Sequence, residues 1–153
     1  MTLAKKQRAT GQSERLGDLA EFRYRLRRFL SFSEVAAEEA DISAQQYQLM
    51  QAVAMVPEGQ GCSISYLAER MVLRHNSAVE LVDRAERSGL VRRVADENDH
   101  RRSLVELTER GSKTLATLVD AHLLKIEAEG PEMVRALQRL IGGRNTAKKS
   151  GAR

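Results

Sequence analysis

Val91–Thr108 reads VRRVADENDHRRSLVELT. Leu90–Val94 and Ser103–Leu107 are short runs that each carry three apolar residues, and they read as candidate strands. A polar loop joins them where a tight hairpin would carry an Asn-Gly pair. The stretch therefore reads as a β-hairpin with a long charged tip, in which Arg92, Arg93, Arg101 and Arg102 surround Asp96, Glu97 and Asp99. An exposed ion pair contributes only about 0–1 kcal/mol, so stability is a poor reason for this much clustered charge. A lone hairpin is also marginal in water and must lean on neighbouring elements or on an outside partner.

The residues on either side read as helices. Leu16, Leu19, Phe22, Leu26, Phe29 and Leu30 recur at three and four and mark one amphipathic helix from about Glu14 to Ala40, broken at Asp41-Ile42. Ser43-Ala-Gln-Gln46 is a capping-box pattern that opens a second helix with Tyr47, Met50, Val53 and Ala54 inward. Pro57–Gly61 forms a loop. Ser63 can N-cap a short third helix, ISYLAERM, and Ser77-Ala-Val-Glu80 reads as the capping box of a fourth, with Ala78, Val79, Val82 and Ala85 inward and Gly89 as its stop. After the hairpin, Thr108 can cap a fifth helix with a stripe of Leu115, Leu118, Val119, His122, Leu123 and Ile126. Gly130-Pro131 is expected to end it and start a sixth, through Met133, Val134, Leu137, Leu140 and Ile141. Residues 1–13 and 142–153 are polar and expected to be flexible ends.

The totals narrow the class. The 153 residues suit a single domain, 14–141, and no apolar run approaches the length of a membrane span. No secretory signal is recognisable at the N-terminus, and the single cysteine, Cys62, fits a cytoplasmic protein. The net charge of +4 hints at a polyanion partner. Yet residues 60–110 hold nine arginines against nine carboxylates, so any nucleic-acid reading rests on arrangement. No Gly-rich phosphate loop, catalytic triad or metal-ligand spacing is present, so neither an enzyme nor a cofactor is expected. His75, His100 and His122 lack mutual ligand spacing. Cys62 precedes a helix start, where a thiol can be activated, but a structural cysteine is the simpler reading.

A short helix, a turn and a second helix make a helix-turn-helix pattern, whose second helix can enter a major groove. A hairpin directly afterwards adds a wing, and a thin loop bearing arginine suits the narrow, strongly negative minor groove. At this point the chain resembles the MarR family of transcription regulators. The matching residues are Ser65-Tyr-Leu-Ala68, Leu81-Val-Asp-Arg84, Glu86-Arg-Ser-Gly-Leu-Val91, Asp99-His-Arg101, and Leu107-Thr108 with Gly111. They span roughly residues 63–111. Ala85 departs from the family pattern, which carries leucine there. The resemblance implies a mainly α, winged helix-turn-helix fold with a two-stranded β wing. It places the DNA-binding part at about 43–108 and the dimerisation helices at 14–40 and 109–141. It further implies a homodimer on a pseudo-palindromic double-stranded operator, and a repressor relieved by a small hydrophobic anionic effector. A winged-helix protein-interaction module without DNA binding is the alternative, and the neutral middle segment is its support.

The candidate DNA-binding residues follow. Arg74, His75, Asn76, Ser77, Glu80 and Arg84 fall on the polar face or first turn of the recognition helix, where Asn can read adenine and Arg guanine. Their competing reading is a solvated face with pairs such as Glu80–Arg84. Ser63 and Ser65 can hold phosphate, although for Ser63 a helix cap is favoured. Arg101 is the wing arginine that the resemblance singles out, and Asp99 is expected to neutralise and orient an arginine. Arg102, Arg92 and Arg93 are open between facing DNA and being solvated. Asp96 and Glu97 have no assigned role beyond opposing phosphate.

Overall fold

The computed structural model describes residues 3–149, with side chains described from 11 to 142. Its elements, in order, are α1 (Leu3–Glu39), α2 (Ala44–Ala54), α3 (Ile64–Arg70), α4 (His75–Arg87), β1 (Val91–Ala95), β2 (Ser103–Leu107) and α5 (Glu109–Lys149). The strands pair antiparallel from Val91↔Leu107 to Ala95↔Ser103. This is the mainly helical, two-stranded winged architecture expected from the sequence. The chain forms two compact units, Ser33–Ala121 and Met1–Phe32 with His122–Arg153.

In the unit Ser33–Ala121, Tyr47, Leu49, Met50, Leu67, Leu81, Val82, Leu90, Val91 and Val105 are almost wholly removed from solvent. Burying each large side chain contributes about 1.5–3 kcal/mol. Leu49 and Leu81 join the inward faces, whereas Ala54, expected inward, is exposed. The capping box of α2 is present: Gln46 N–H donates to Ser43 Oγ at 3.1 Å, and Ser43 N–H to Gln46 Oε1 at 2.9 Å.

Three helices end in the same way. At α1, α3 and α4 the N–H groups of Ile42, Leu73 and Leu90 reach back to the carbonyls of Ala37, Ala68 and Ala85. Such Schellman closures need a left-handed residue just before, and the three are Asp41 (φ 58), Val72 (φ 53) and Gly89 (φ 70). Glycine adopts this conformation freely and aspartate tolerates it, but a β-branched residue there is strained. Val72 is also 91% exposed, so its side chain gains nothing from burial in return. Val72→Asn should therefore stabilise the protein by about 1 kcal/mol, raising the melting temperature by about 2–4 °C. A lower melting temperature would refute the strain.

Two expectations need correction. The segment 3–13, expected flexible, belongs to α1: Ala4, Lys5, Lys6, Gln7 and Arg8 are good helix formers. At the other end residues 142–149, also expected flexible, continue α5, while Met1-Thr2 and Ser150–Arg153 lie outside the described residues. The break at Gly130-Pro131 does not occur either, and Pro131 lies inside the single helix α5. Proline in a helix interior costs about 3 kcal/mol. On either side of it, Glu129 pairs with Arg28 at 2.8 Å and Glu132 with Arg25 at 3.8 Å, so both flanks are held to α1. In the same unit His122 is buried edge-on between Phe29 and Phe32, at 5.9 and 5.2 Å between ring centres.

Candidate nucleic-acid interface

The recognition helix starts earlier than the sequence pattern indicates. Ser77 and Glu80 do not form its capping box; the N-cap is Arg74, in extended conformation. A guanidinium cannot accept a hydrogen bond, so the first-turn amides of His75, Asn76 and Ser77 keep their donor capacity. Burial of Ala78 and Leu81 fixes which face of the helix meets the core, and the start at His75 follows the extended Arg74 just after the left-handed close of α3 at Val72. Arg74, His75, Asn76, Ser77, Glu80 and Arg84 are all exposed. The positive end of a 13-residue helix thus presents three free amides beside Arg74, a suitable surface for phosphate and base edges. Arg84 leans toward α2, with Nη2 3.4 Å from Gln45 Oε1.

Ser63 serves as the cap of α3, its Oγ accepting from Tyr66 N–H at 3.2 Å. Ser65 is exposed on the first turn of that helix. Ser63 also bridges to Leu104, and Cys62 carbonyl accepts from Val105 N–H at 2.9 Å, so β2 is paired on both edges. Ser63, Asn98 and Arg102 line one open depression of about 420 Å³ at the base of the tip.

The tip is built by its carboxylates. Asp96 is buried; its N–H donates to Arg102 carbonyl at 3.0 Å, and its Oδ1 accepts from Asn98 N–H at 2.9 Å. This side-chain turn gives Asp96 a structural role that no sequence pattern announces. Asp99 Oδ1 accepts from the backbone N–H of Arg101 at 3.1 Å. The expected neutralisation of a guanidinium by Asp99 is thus corrected: Asp99 shapes the backbone and leaves the Arg101 side chain exposed. Arg101 and Arg102 are both open to solvent at the tip.

The other two arginines are engaged. Arg92 pairs across the strands with Glu106 at 3.0 Å. Arg93 binds Asp83 and Glu86 of α4, each at 2.6 Å. Hydrogen bonds from the backbone and side chain of Arg93 hold the Glu86 carboxyl below the usual glutamate range. Since that folded-state value is depressed, its stabilisation is complete above the ordinary glutamate pKa and is lost as pH falls through the lowered one.

Thr108 closes the wing. Its hydroxyl donates to Gly89 carbonyl at 2.6 Å and accepts from Gly111 N–H at 2.9 Å, tying the start of α5 to the end of α4. Cys62 is buried, and burial pushes its thiol up to about 11. Because the thiol is buried and protonated at pH 8, its alkylation by iodoacetamide should require opening of the fold and run far more slowly than that of a free thiol. Labelling of the folded protein at the rate of a free thiol would contradict this.

The model of the MarR family matches residues 40–102. Transcriptional regulator HosA of Escherichia coli is 34% identical over 109 residues, covering 67% of this chain and 78% of HosA. AbsC, a MarR family transcriptional regulator from Streptomyces coelicolor, superposes with a TM-score of 0.64 at 18% identity, over 98% of this chain and 97% of AbsC. A point mutant of S. aureus MepR bound to an oligodeoxyribonucleotide superposes with a TM-score of 0.62 at 19% identity, over 79% of this chain and 93% of MepR. At these identities the structural likeness concerns the fold.

Proposed function

Since the chain belongs to the MarR family of transcription regulators, we propose that it binds double-stranded DNA sequence-specifically, as a homodimer on a pseudo-palindromic operator. The observation that carries this reading is the uncapped, exposed first turn of α4, followed in the chain by a wing with two exposed arginines at its tip. Arg74, His75, Asn76 and Ser77 enter the major groove, with Glu80 and Arg84 at the edge of the contact. Ser65 meets phosphate, while Ser63 acts through its cap. Arg101 enters the minor groove and Arg102 approaches the backbone, with Asp99 setting the loop.

Dimerisation is supported by apolar side chains that α1 and α5 leave exposed in the single chain. Leu16, Leu124 and Ile141 are each more than 60% exposed, and Leu19, Leu123, Val134 and Leu137 more than 40%. Such surface is costly in an isolated protein. Two-fold symmetry also doubles the few base pairs that one recognition helix can read. Family membership further supports a cytoplasmic repressor that a small hydrophobic anion releases by changing the spacing of the two recognition helices. Among the described residues, no helix is long and apolar enough to cross a membrane.

Selection of bound duplexes from a random library tests the reading. The expected result is an inverted repeat whose half-sites lie about one helical turn apart, retained less at higher salt. No enrichment and no salt-dependent retention would favour a protein-interaction module.

A further inference from the structure

The wing and the recognition helix are bridged by Arg93, a half-buried residue of β1 whose side chain reaches α4. Arg93 lies opposite Val105 in the hairpin. Val105 turns its N–H away from β1, toward Cys62 carbonyl, so the two face each other as a non-hydrogen-bonded pair. The N–H of Arg93 consequently points out of the open edge of β1. There it meets Glu86 Oε1 at 2.9 Å. The guanidinium returns to the same helix, donating to Glu86 Oε2 and to Asp83 Oδ1, each at 2.6 Å. One carboxylate therefore holds both the main chain and the side chain of a single strand residue, and a second carboxylate, one turn away on α4, completes the grip. Arg92 next to it has a side chain 64% exposed, against 27% for Arg93.

We propose that Arg93 is a positioning residue for operator recognition, clamping β1 to α4 so that wing and recognition helix engage the duplex as one body. The proposal rests on the DNA-binding reading above. The charge balance sets it apart from a phosphate-contacting role. Two carboxylates around one guanidinium leave an excess negative charge beside a DNA-binding helix, which general electrostatics disfavours. A clamp gives those carboxylates a use: they hold the strand in a fixed place on the helix, which pre-organises the two reading elements and lowers the ordering cost of binding.

The test compares the full chain with Arg93→Lys and with the double variant Asp83→Asn/Glu86→Gln. Each is titrated on the selected duplex and on a scrambled one across a salt series, and hydrogen exchange of the wing amides is followed in the free protein. The double variant loses two negative charges, so it should bind scrambled duplex at least as tightly as the parent. It should nevertheless bind the selected duplex about tenfold more weakly. Arg93→Lys, which keeps the charge and loses the fork, should show the same loss with the parental salt slope. In both, the amides of β1 and the tip should exchange at least about tenfold faster. Tighter binding to both duplexes by the double variant, or wing protection equal to the parent in Arg93→Lys, would overturn the proposal. Should the parent itself fail to prefer the selected duplex, the DNA-binding reading falls, while the exchange measurement still decides whether the clamp exists. If the double variant does not fold, Arg93→Lys decides alone.

Discussion

Gly111→Ala is expected to destabilise the protein by at least about 4 kcal/mol, or about 8–16 °C in melting temperature. A Cβ at this position would stand 1.9 Å from the Leu90 carbonyl oxygen and 2.9 Å from its carbon. Those atoms are backbone and cannot rotate aside. Leu90 is itself fixed: it is fully buried, its N–H closes α4 on Ala85, and its carbonyl accepts from Thr108 N–H at 3.0 Å. Relief would require α5 to move away from the end of α4, which breaks the Thr108 links to Gly89 and Gly111. Domains of this size are stable by only about 5–15 kcal/mol, so the change consumes a large share. Urea unfolding of Gly111→Ala beside Ser112→Ala, an exposed neighbour, provides the check. A loss below about 1 kcal/mol would mean that the close approach is not a constraint.

The second large effect concerns DNA. In the proposed homodimer Arg101→Ala removes two guanidiniums, each proposed contact contributing about 1 kcal/mol or more, so operator affinity should fall about 10- to 100-fold. The slope of log affinity against log salt should become shallower by about two. Arg102→Ala should do less, because Arg102 lines the depression at the base of the tip with Ser63 and Asn98. Fluorescence anisotropy over a salt series measures both quantities. Unchanged affinity with an unchanged slope would remove Arg101 from the interface.

The element order was legible wherever a junction carries its own chemistry. Ser43 and Gln46 cap α2, Ser63 caps α3, Gly89 ends α4 and Thr108 opens α5, each through bonds local in sequence or nearly so. The hairpin was legible for the same reason, with only its first strand displaced by one residue. Misreadings arose where neighbouring structure outweighs local preference. Ser77 and Glu80 look like a helix start, but the chain leaves α3 through left-handed Val72 and extended Arg74 and enters the helix at His75. Pro131 looks like a stop, but ion pairs to α1 on both sides accompany an unbroken helix. Val72 gives no hint of a left-handed backbone, because the closing bonds and Leu73 behind it impose one.

The candidate site divides along the same line. Exposure of the recognition-helix residues and of Arg101 was readable from periodicity and from the charged tip. The division of labour among the wing's charges was not, since the sequence cannot tell which of four arginines meets a carboxylate. Arg93 is held by α4 and Arg92 by Glu106, which leaves Arg101 and Arg102 as the exposed pair at the tip. Asp96 and Asp99 likewise serve the backbone of the loop.

Competition between the selected duplex and a scrambled duplex of equal length, measured on the parent protein at physiological salt, bears most directly on sequence-specific recognition. The expected result is a preference of about 10³-fold or more for the selected duplex, with the preference retained as salt weakens both. Equal affinity for the two duplexes would contradict a sequence-reading regulator.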